Sequence, residues 1–456
     1  MPDVSLDLST LEAAYAGGLT PETVLRQIHA RLAAIDDPAI FIDLIPLSEV
    51  LAHARALPPR DLGKYPLWGI PFAIKDNIDL AGRPTTAACP AFAYVPGEDA
   101  TLVARLKAVG AIPVGKTNLD QFATGLVGVR SPYGVPRNAF DSDIVPGGSS
   151  SGSAIAVAQG LASFSLGTDT AGSGRVPAGL NNLVGLKPSL GALSTRGVVP
   201  ACRTLDCVSI FALSVGDARK VFDIAAGYDA ADPYSRPRVP NNSAPMRRVG
   251  VPRNADRLFF GDTTMQAAFE AAISQFASLN VEMIDIDMSD FFAVAQLLYE
   301  GPWVAERRAA IRDFMDKHPD ALHPVTRAII NKADSISATD TFVAMYRLVE
   351  LRRKTEPVWS EIDALMVPTA PLAPTLTDLV ADPITPNSRL GTYTNFVNLL
   401  DLAALAVPGP FRTDGFPAGV TFIAPRDSDH RLADLGARFF PGIGGRTGSP
   451  TSKARP

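Results

Sequence analysis

Apolar residues recur at helical spacing near the start of the chain and then give way to short continuous apolar runs. Leu11, Ala14 and Tyr15 follow Ser9-Thr10 with Glu12 close behind, a capping-like helix start. Pro21-Glu22 opens a second helix with Val24, Leu25, Ile28 and Leu32 on one face. A third helical run covers 47–57 and stops at Pro58-Pro59. Residues 67–80, which include Ile70-Pro-Phe-Ala-Ile-Lys75-Asp-Asn-Ile78, read as buried strand with polar insertions. The spacing predicts a helix over 101–109 and a short strand over 111–114. Strand and helix alternate, the pattern of an α/β architecture.

Between Asp143 and Asp169 no residue is charged. The length would suit a membrane span, but Pro146, five glycines and many serines lie within it, so a span is excluded. The reading is a Gly/Ser loop followed by a helix and a strand buried in protein. Residues 225–248 shift to Asp, Pro, Arg and Asn, a surface connection. Residues 266–279 and 291–352 read mostly as helix. Met366-Val-Pro368 and 419–423 read as strands returning to the core. Residues 442–456 are Gly, Ser, Pro and basic residues, read as a disordered tail.

Composition narrows the function classes. Lys plus Arg is 42 and Asp plus Glu is 47 in 456 residues, a formal charge of −5. An overall basic nucleic-acid binder is excluded, and no membrane partner is expected. Hydrophobic residues make up 46 % and charged residues 20 %, a globular balance in a chain long enough to need no disulfides or structural metal. Cys89, Cys202 and Cys207 form no framework and no zinc pattern, which fits a reducing compartment. The acidic N-terminus is no signal peptide, so the expected location is the cytoplasm.

Two motif matches mislead. Gly110-Ala-Ile-Pro-Val-Gly115-Lys116-Thr117 fits the phosphate-loop pattern, but helix rather than strand precedes it, and Pro113 offers no N–H. The competing reading is a strand entering a turn. Gly148-Ser-Ser150-Ser-Gly152 fits a hydrolase elbow, but Asp143 to Pro146 make a poor strand. Of the five histidines, His29 and His53 come too early, and His318 and His323 look solvated.

Without a histidine base, Lys75 becomes the candidate. Burial disfavours the ammonium, so a lysine in an apolar run can act as general base. A structural lysine paired with Asp76 is the alternative. Ser149 lies in Val145-Pro-Gly-Gly-Ser149-Ser-Ser-Gly-Ser153. Ser173 lies between Gly172 and Gly174 in Gly167-Thr-Asp-Thr-Ala-Gly-Ser173-Gly-Arg-Val-Pro177. The N–H groups of Thr170, Ala171, Gly172 and Ser173 are positioned to converge on an oxyanion. A plain glycine turn is the alternative.

These blocks together, in order and spacing, resemble the amidase signature family, and the resemblance runs from about residue 8 to 440. It extends through Asn181-Asn-Leu-Val-Gly-Leu-Lys-Pro188 and Gly415-Phe-Pro-Ala-Gly-Val-Thr-Phe-Ile423. It implies an α/β fold with a central mixed β-sheet covered by helices on both faces. It also implies a division into an N-terminal helical segment 1–60, a catalytic domain 61–440 with a helical substrate-binding insertion at about 255–355, and a tail 441–456. It implies a Ser–cis-Ser–Lys triad: Ser173 the nucleophile, Ser149 the bridge after a cis peptide bond, Lys75 the base. No metal or cofactor is implied, and a homodimer is expected.

Further segments are similar to the allophanate hydrolases within that family: Lys116-Thr-Asn-Leu-Asp-Gln-Phe-Ala-Thr-Gly125, Ser194 to Ser209, Tyr299-Glu-Gly-Pro-Trp-Val-Ala-Glu-Arg307 and Tyr393 to Leu402. The implied substrate is allophanate, a small planar anionic amide, cleaved to ammonia and N-carboxycarbamate in urea or s-triazine breakdown. Arg307 supplies a forked cation and Tyr299 a hydroxyl; eight residues apart, they are expected on one helix face. Arg308 is the alternative cation. Gly125 is expected to line the pocket with its backbone, and Asp169 and Arg175 to brace the serine loop. Many allophanate hydrolases carry a further C-terminal domain, to which no segment here corresponds.

Overall fold

The computed structural model describes residues 4–237, 239 and 244–440. Eleven strands form one sheet: β1 Phe41–Leu44, β2 Pro71–Lys75, β3 Ile112–Thr117, β4 Phe164–Asp169, β5 Val184–Lys187, β6 Cys207–Ala212, β7 Arg248–Pro252, β8 Glu282–Ile286, β9 Ala364–Pro368, β10 Leu402–Pro408 and β11 Gly419–Pro425. Their order is β1-β3-β2-β4-β6-β5-β10-β11-β9-β7-β8. β3, β2 and β4 run parallel, as do β9, β7 and β8, while the strands between are antiparallel. The sheet is therefore mixed, flanked by helices, and most of its central strands are buried throughout because helices leave them no wet face.

The helices start where the sequence supplies caps, with one shift. Asp7, not Ser9 or Thr10, caps the helix Leu8–Ala16, accepting from the Thr10 N–H. Thr20 caps Pro21–Ile35, with Pro21 in the first turn. Segment 1–60 also holds β1, paired with β3. The tail falls outside the described residues.

The phosphate-loop match is strand: β3 covers Ile112–Thr117, and the Lys116 ammonium lies buried 3.1 Å from Asp76. Asp76 is thus spoken for, and the neighbouring Lys75 is not its partner. Ser150, the central residue of the elbow match, is the cap position of the buried helix Ser151–Ala158. β2 and β4 end side by side, with Ile74 opposite Leu166. Lys75 and Thr168 therefore emerge together at the carboxyl edge of parallel strands, where open α/β sheets place their sites.

Candidate active site

Lys75 is fully buried at the end of β2. Its Nζ lies 2.7 Å from Ser149 Oγ and 2.8 Å from Thr168 Oγ1. Asn77 Nδ2 donates to the same threonine oxygen at 3.3 Å. Burial pushes Lys75 down to about 7; Asp120, Asp169 and Asp206 oppose the shift and Arg307 adds to it. A lysine balanced there can take a proton and return it at neutral pH.

Ser149 stands one residue before the cap of helix Ser151–Ala158, and the Gly148–Ser149 peptide is cis. Its carbonyl accepts from the Asp120 N–H. Ser173 lies in the turn between β4 and the helix Val176–Leu180, almost wholly buried. The structure brings Lys75 and Ser149 into hydrogen-bond contact. The Ser173 hydroxyl makes no hydrogen bond to a described residue.

The turn is built around Asp169. Its carboxylate receives Arg175 Nε and Nη2, both at 2.9 Å, and the N–H groups of Gly172 and Gly174 at 2.9 and 3.0 Å. Burial alone would raise its pKa, but the guanidinium and these N–H groups hold the carboxyl below the usual value. Arg175 also donates to Thr394 O, so both residues brace the loop. Thr394 Oγ1 in turn donates to Ala171 O at 2.7 Å. Gly172 has φ +133°, and a Cβ there would fall 2.4 Å from that threonine oxygen, so only glycine fits.

Of the four expected oxyanion donors, the Gly172 N–H donates to Asp169, while those of Thr170, Ala171 and Ser173 have no acceptor among the described residues. Thr170 Oγ1 donates to buried Asp206, which also accepts from the Ala201 and Cys202 N–H groups. Burial pushes Asp206 up.

Tyr299 and Arg307 do not share a helix. Gly301-Pro302 splits the run into Ser289–Glu300 and Trp303–Lys317, as a Gly-Pro pair does. The two nevertheless meet. Arg307 Nη2 lies 3.4 Å from the Tyr299 hydroxyl, and its Cζ sits 5.4 Å from that ring's centroid. Arg307 is 2 % exposed. Its other contacts are Ala123 O at 3.3 Å and Thr124 Oγ1 at 3.2 Å, and Nε has no partner. Among the described residues no carboxylate lies within 4.0 Å of it. Asp206 and Glu306 act on it only from further away. A buried, unpaired guanidinium is costly, and an anion placed beside it would compensate it. Arg308, the alternative cation, points outward to Asp316 and Asp334. Gly125 follows Thr124, and a Cβ there would fall 2.4 Å from Asp120 Oδ2. His323 caps the helix Pro324–Asn331 and is half-buried rather than solvated.

Sequence reasoning missed Thr168, Asp120, Asp206 and Arg130. Thr168 was legible in principle, because parallel pairing of β2 and β4 sets it beside Lys75. Arg130, buried with its guanidinium on Thr124 O and Pro383 O, carries no local signal.

Comparison with known proteins gives a consistent result. The family model described as Amidase matches residues 23–433. Urea amidolyase of Saccharomyces cerevisiae is 48 % identical over 413 residues, covering 88 % of this chain and 22 % of that protein. The chain thus spans less than a quarter of that relative's length. A glutamyl-tRNA(Gln) amidotransferase component of Symbiobacterium thermophilum is 32 % identical, covering 92 % of this chain and 93 % of that one. The structure of Kluyveromyces lactis allophanate hydrolase superposes with a TM-score of 0.91 at 42 % identity, covering 98 % of this chain and 75 % of that one.

Proposed function

The chain belongs to the amidase signature family, and from that premise we propose that it hydrolyses allophanate, releasing ammonia. The observation that carries the substrate is the buried Arg307, which has no carboxylate within 4.0 Å among the described residues. Its fork and the Tyr299 hydroxyl hold the substrate carboxylate, and the Gly125 backbone borders the pocket. The likeness to urea amidolyase and allophanate hydrolase supports the same choice.

In this mechanism neutral Lys75 takes a proton from Ser149, which takes one from Ser173. Ser173 attacks the terminal amide carbonyl, and the N–H groups of Thr170, Ala171 and Ser173 hold the oxyanion. Collapse returns the proton through Ser149 to the departing ammonia. Water then adds to the acyl ester, Lys75 and Ser149 relay its proton back to Ser173, and N-carboxycarbamate leaves. The reaction belongs to nitrogen release from urea or s-triazines.

The free, buried cysteines suit a reducing compartment, so we place the enzyme in the cytoplasm. No helix among the described residues is long and apolar enough to cross a membrane. We further propose a homodimer. Phe342, Met345, Tyr346 and Val349 line one exposed stripe of the helix Ala338–Thr355. Antiparallel pairing of two copies would set the basic last turn, Arg352 to Lys354, beside the acidic first turn at Asp340. Sedimentation should give a dimer that Tyr346→Asp converts to monomer; a monomeric wild type would reject the pairing.

The test of function is ammonia release from allophanate, acetamide and glutamine by the purified chain. Preferred turnover of allophanate is expected. Preference for glutamine or acetamide would discard the substrate and keep the family chemistry.

A further inference from the structure

The loop 120–131 links the two halves of the site, and one carboxylate organises it. Asp120 is fully buried. Its Oδ2 accepts from the N–H groups of Val127 at 3.2 Å and Gly128 at 2.9 Å, and its Oδ1 from that of Arg130 at 2.9 Å. Its own N–H donates to Ser149 O at 3.0 Å, and the Gly148 N–H donates to Leu126 O at 2.8 Å. The carboxylate thus lies flat against the backbone that carries Ser149. A Cβ on Gly148 would fall 2.1 Å from Oδ2, and one on Gly125 at 2.4 Å. Two glycines of the site are therefore glycines because Asp120 occupies the space beside them.

Asp120 differs from the other charges around Lys75. Asp169, at the end of β4, is neutralised by Arg175 in a two-pronged pair. Asp76, next to Lys75 on β2, is paired with Lys116. Asp206, ahead of β6, is pushed toward its neutral form by burial. Arg307, from the helix Trp303–Lys317, acts unfavourably on the Lys75 ammonium. Asp120 has three N–H donors but, among the described residues, no cation within 4.0 Å. Of the charges acting on Lys75 it contributes most, after burial itself.

We propose that Asp120 is a positioning residue of the amide hydrolysis: its carboxylate fixes the backbone that presents Ser149 to Lys75, and its charge, held in no ion pair within 4.0 Å among the described residues and acted on by Arg130 and His323 only from further away, bears on that lysine. The chemistry needs both. Burial makes the amine available but also a weak base, and a fixed anion nearby restores enough basicity to draw the serine proton at neutral pH. The inference rests on the Ser173–Ser149–Lys75 reading, not on allophanate as substrate.

The experiment measures kcat/KM against pH from 5 to 9 for whichever amide the full chain hydrolyses in a Ser173-dependent way. Wild type should rise to a plateau with a midpoint near Lys75's value of about 7. Asp120→Asn should move the midpoint down by about one unit and lower the plateau, because a carboxylate lost beside a lysine removes stabilisation of its ammonium. Asp120→Glu keeps the charge but misplaces the clamp, so the midpoint should hold while the plateau falls. Should Asp120→Asn fail to fold, as judged by thermal unfolding, the Glu variant carries the test. A fallen plateau with an unmoved midpoint in Asp120→Asn, or a lowered midpoint in Asp120→Glu, would overturn the electrostatic role. An unchanged profile in both would overturn the inference. Activity that survives Ser173→Ala would instead overturn the mechanism on which it rests.

Discussion

Arg307→Met should separate substrate binding from folding. Methionine reaches about as far as the arginine Nε, so the change removes the charged fork and keeps the packing of the stem. Among the described residues the guanidinium makes three long hydrogen-bond contacts, at 3.2, 3.3 and 3.4 Å. A well-formed hydrogen bond to a charged group is worth roughly 1.5–3 kcal/mol, and contacts this long less. Against them stands the cost of burying an unpaired cation, several kcal/mol in real proteins. The two offset, so the melting temperature should hold or rise. Binding behaves differently. Losing a buried charge-assisted contact to a carboxylate costs about 2–5 kcal/mol, which is roughly 30-fold to a few thousand-fold in kcat/KM at about 1.4 kcal/mol per decade. The loss should fall on anionic amides and spare neutral ones. Arg307→Lys should recover part of it, since a point charge replaces a fork. The assay is ammonia release from allophanate and acetamide beside thermal unfolding. Equal losses on both substrates, or a melting temperature several degrees lower, would refute the reasoning.

Other outcomes follow from the buried charges. Wild-type kcat/KM should be low below pH 7 and level above it, because Lys75, lowered to about 7, must shed its proton to act as base; a profile that falls through pH 7 would exclude it. Asp169→Asn should destabilise the protein by about 3–5 kcal/mol, since it leaves Arg175 as an uncompensated buried charge, and denaturant unfolding reads this directly. Asp217, raised to about 7 by burial, contributes stability that is fully present below its unfolded value of 3.8 and is lost as pH rises from there through 7. Asp217→Asn should therefore melt higher than wild type at pH 8 and show no such advantage at pH 4.

The parts of the site that were legible share one property: their signal is local. A lysine inside an apolar strand and serines among glycines announce themselves because each violates its surroundings. The parallel strands around Lys75 were legible as short apolar runs. β1, β5, β6, β7, β8 and β10 were not assigned; for the fully buried β5, β6 and β10 this is because periodicity cannot tell a short buried strand from a buried turn of helix. The shared helix expected for Tyr299 and Arg307 failed at Gly301-Pro302, a break visible in the sequence. Spacing placed the pair correctly for the wrong reason, since tertiary packing rather than one helix face joins them. The Gly172 N–H, expected as an oxyanion donor, donates to Asp169, three residues back along the turn. Asp120, Asp206 and Thr168 were missed because the contacts that tie them to the site, to Ser149, to Thr170 and to Lys75, lie far apart in sequence.

The most direct test of the central claim is to trap the acyl-enzyme. Wild type and Ser173→Ala would be mixed with allophanate, quenched in acid within the first turnover and digested for mass spectrometry. An acyl adduct on Ser173 is expected in wild type, formed with one ammonia released, and none in the variant. An adduct on Ser149, or ammonia release undiminished in Ser173→Ala, would contradict it.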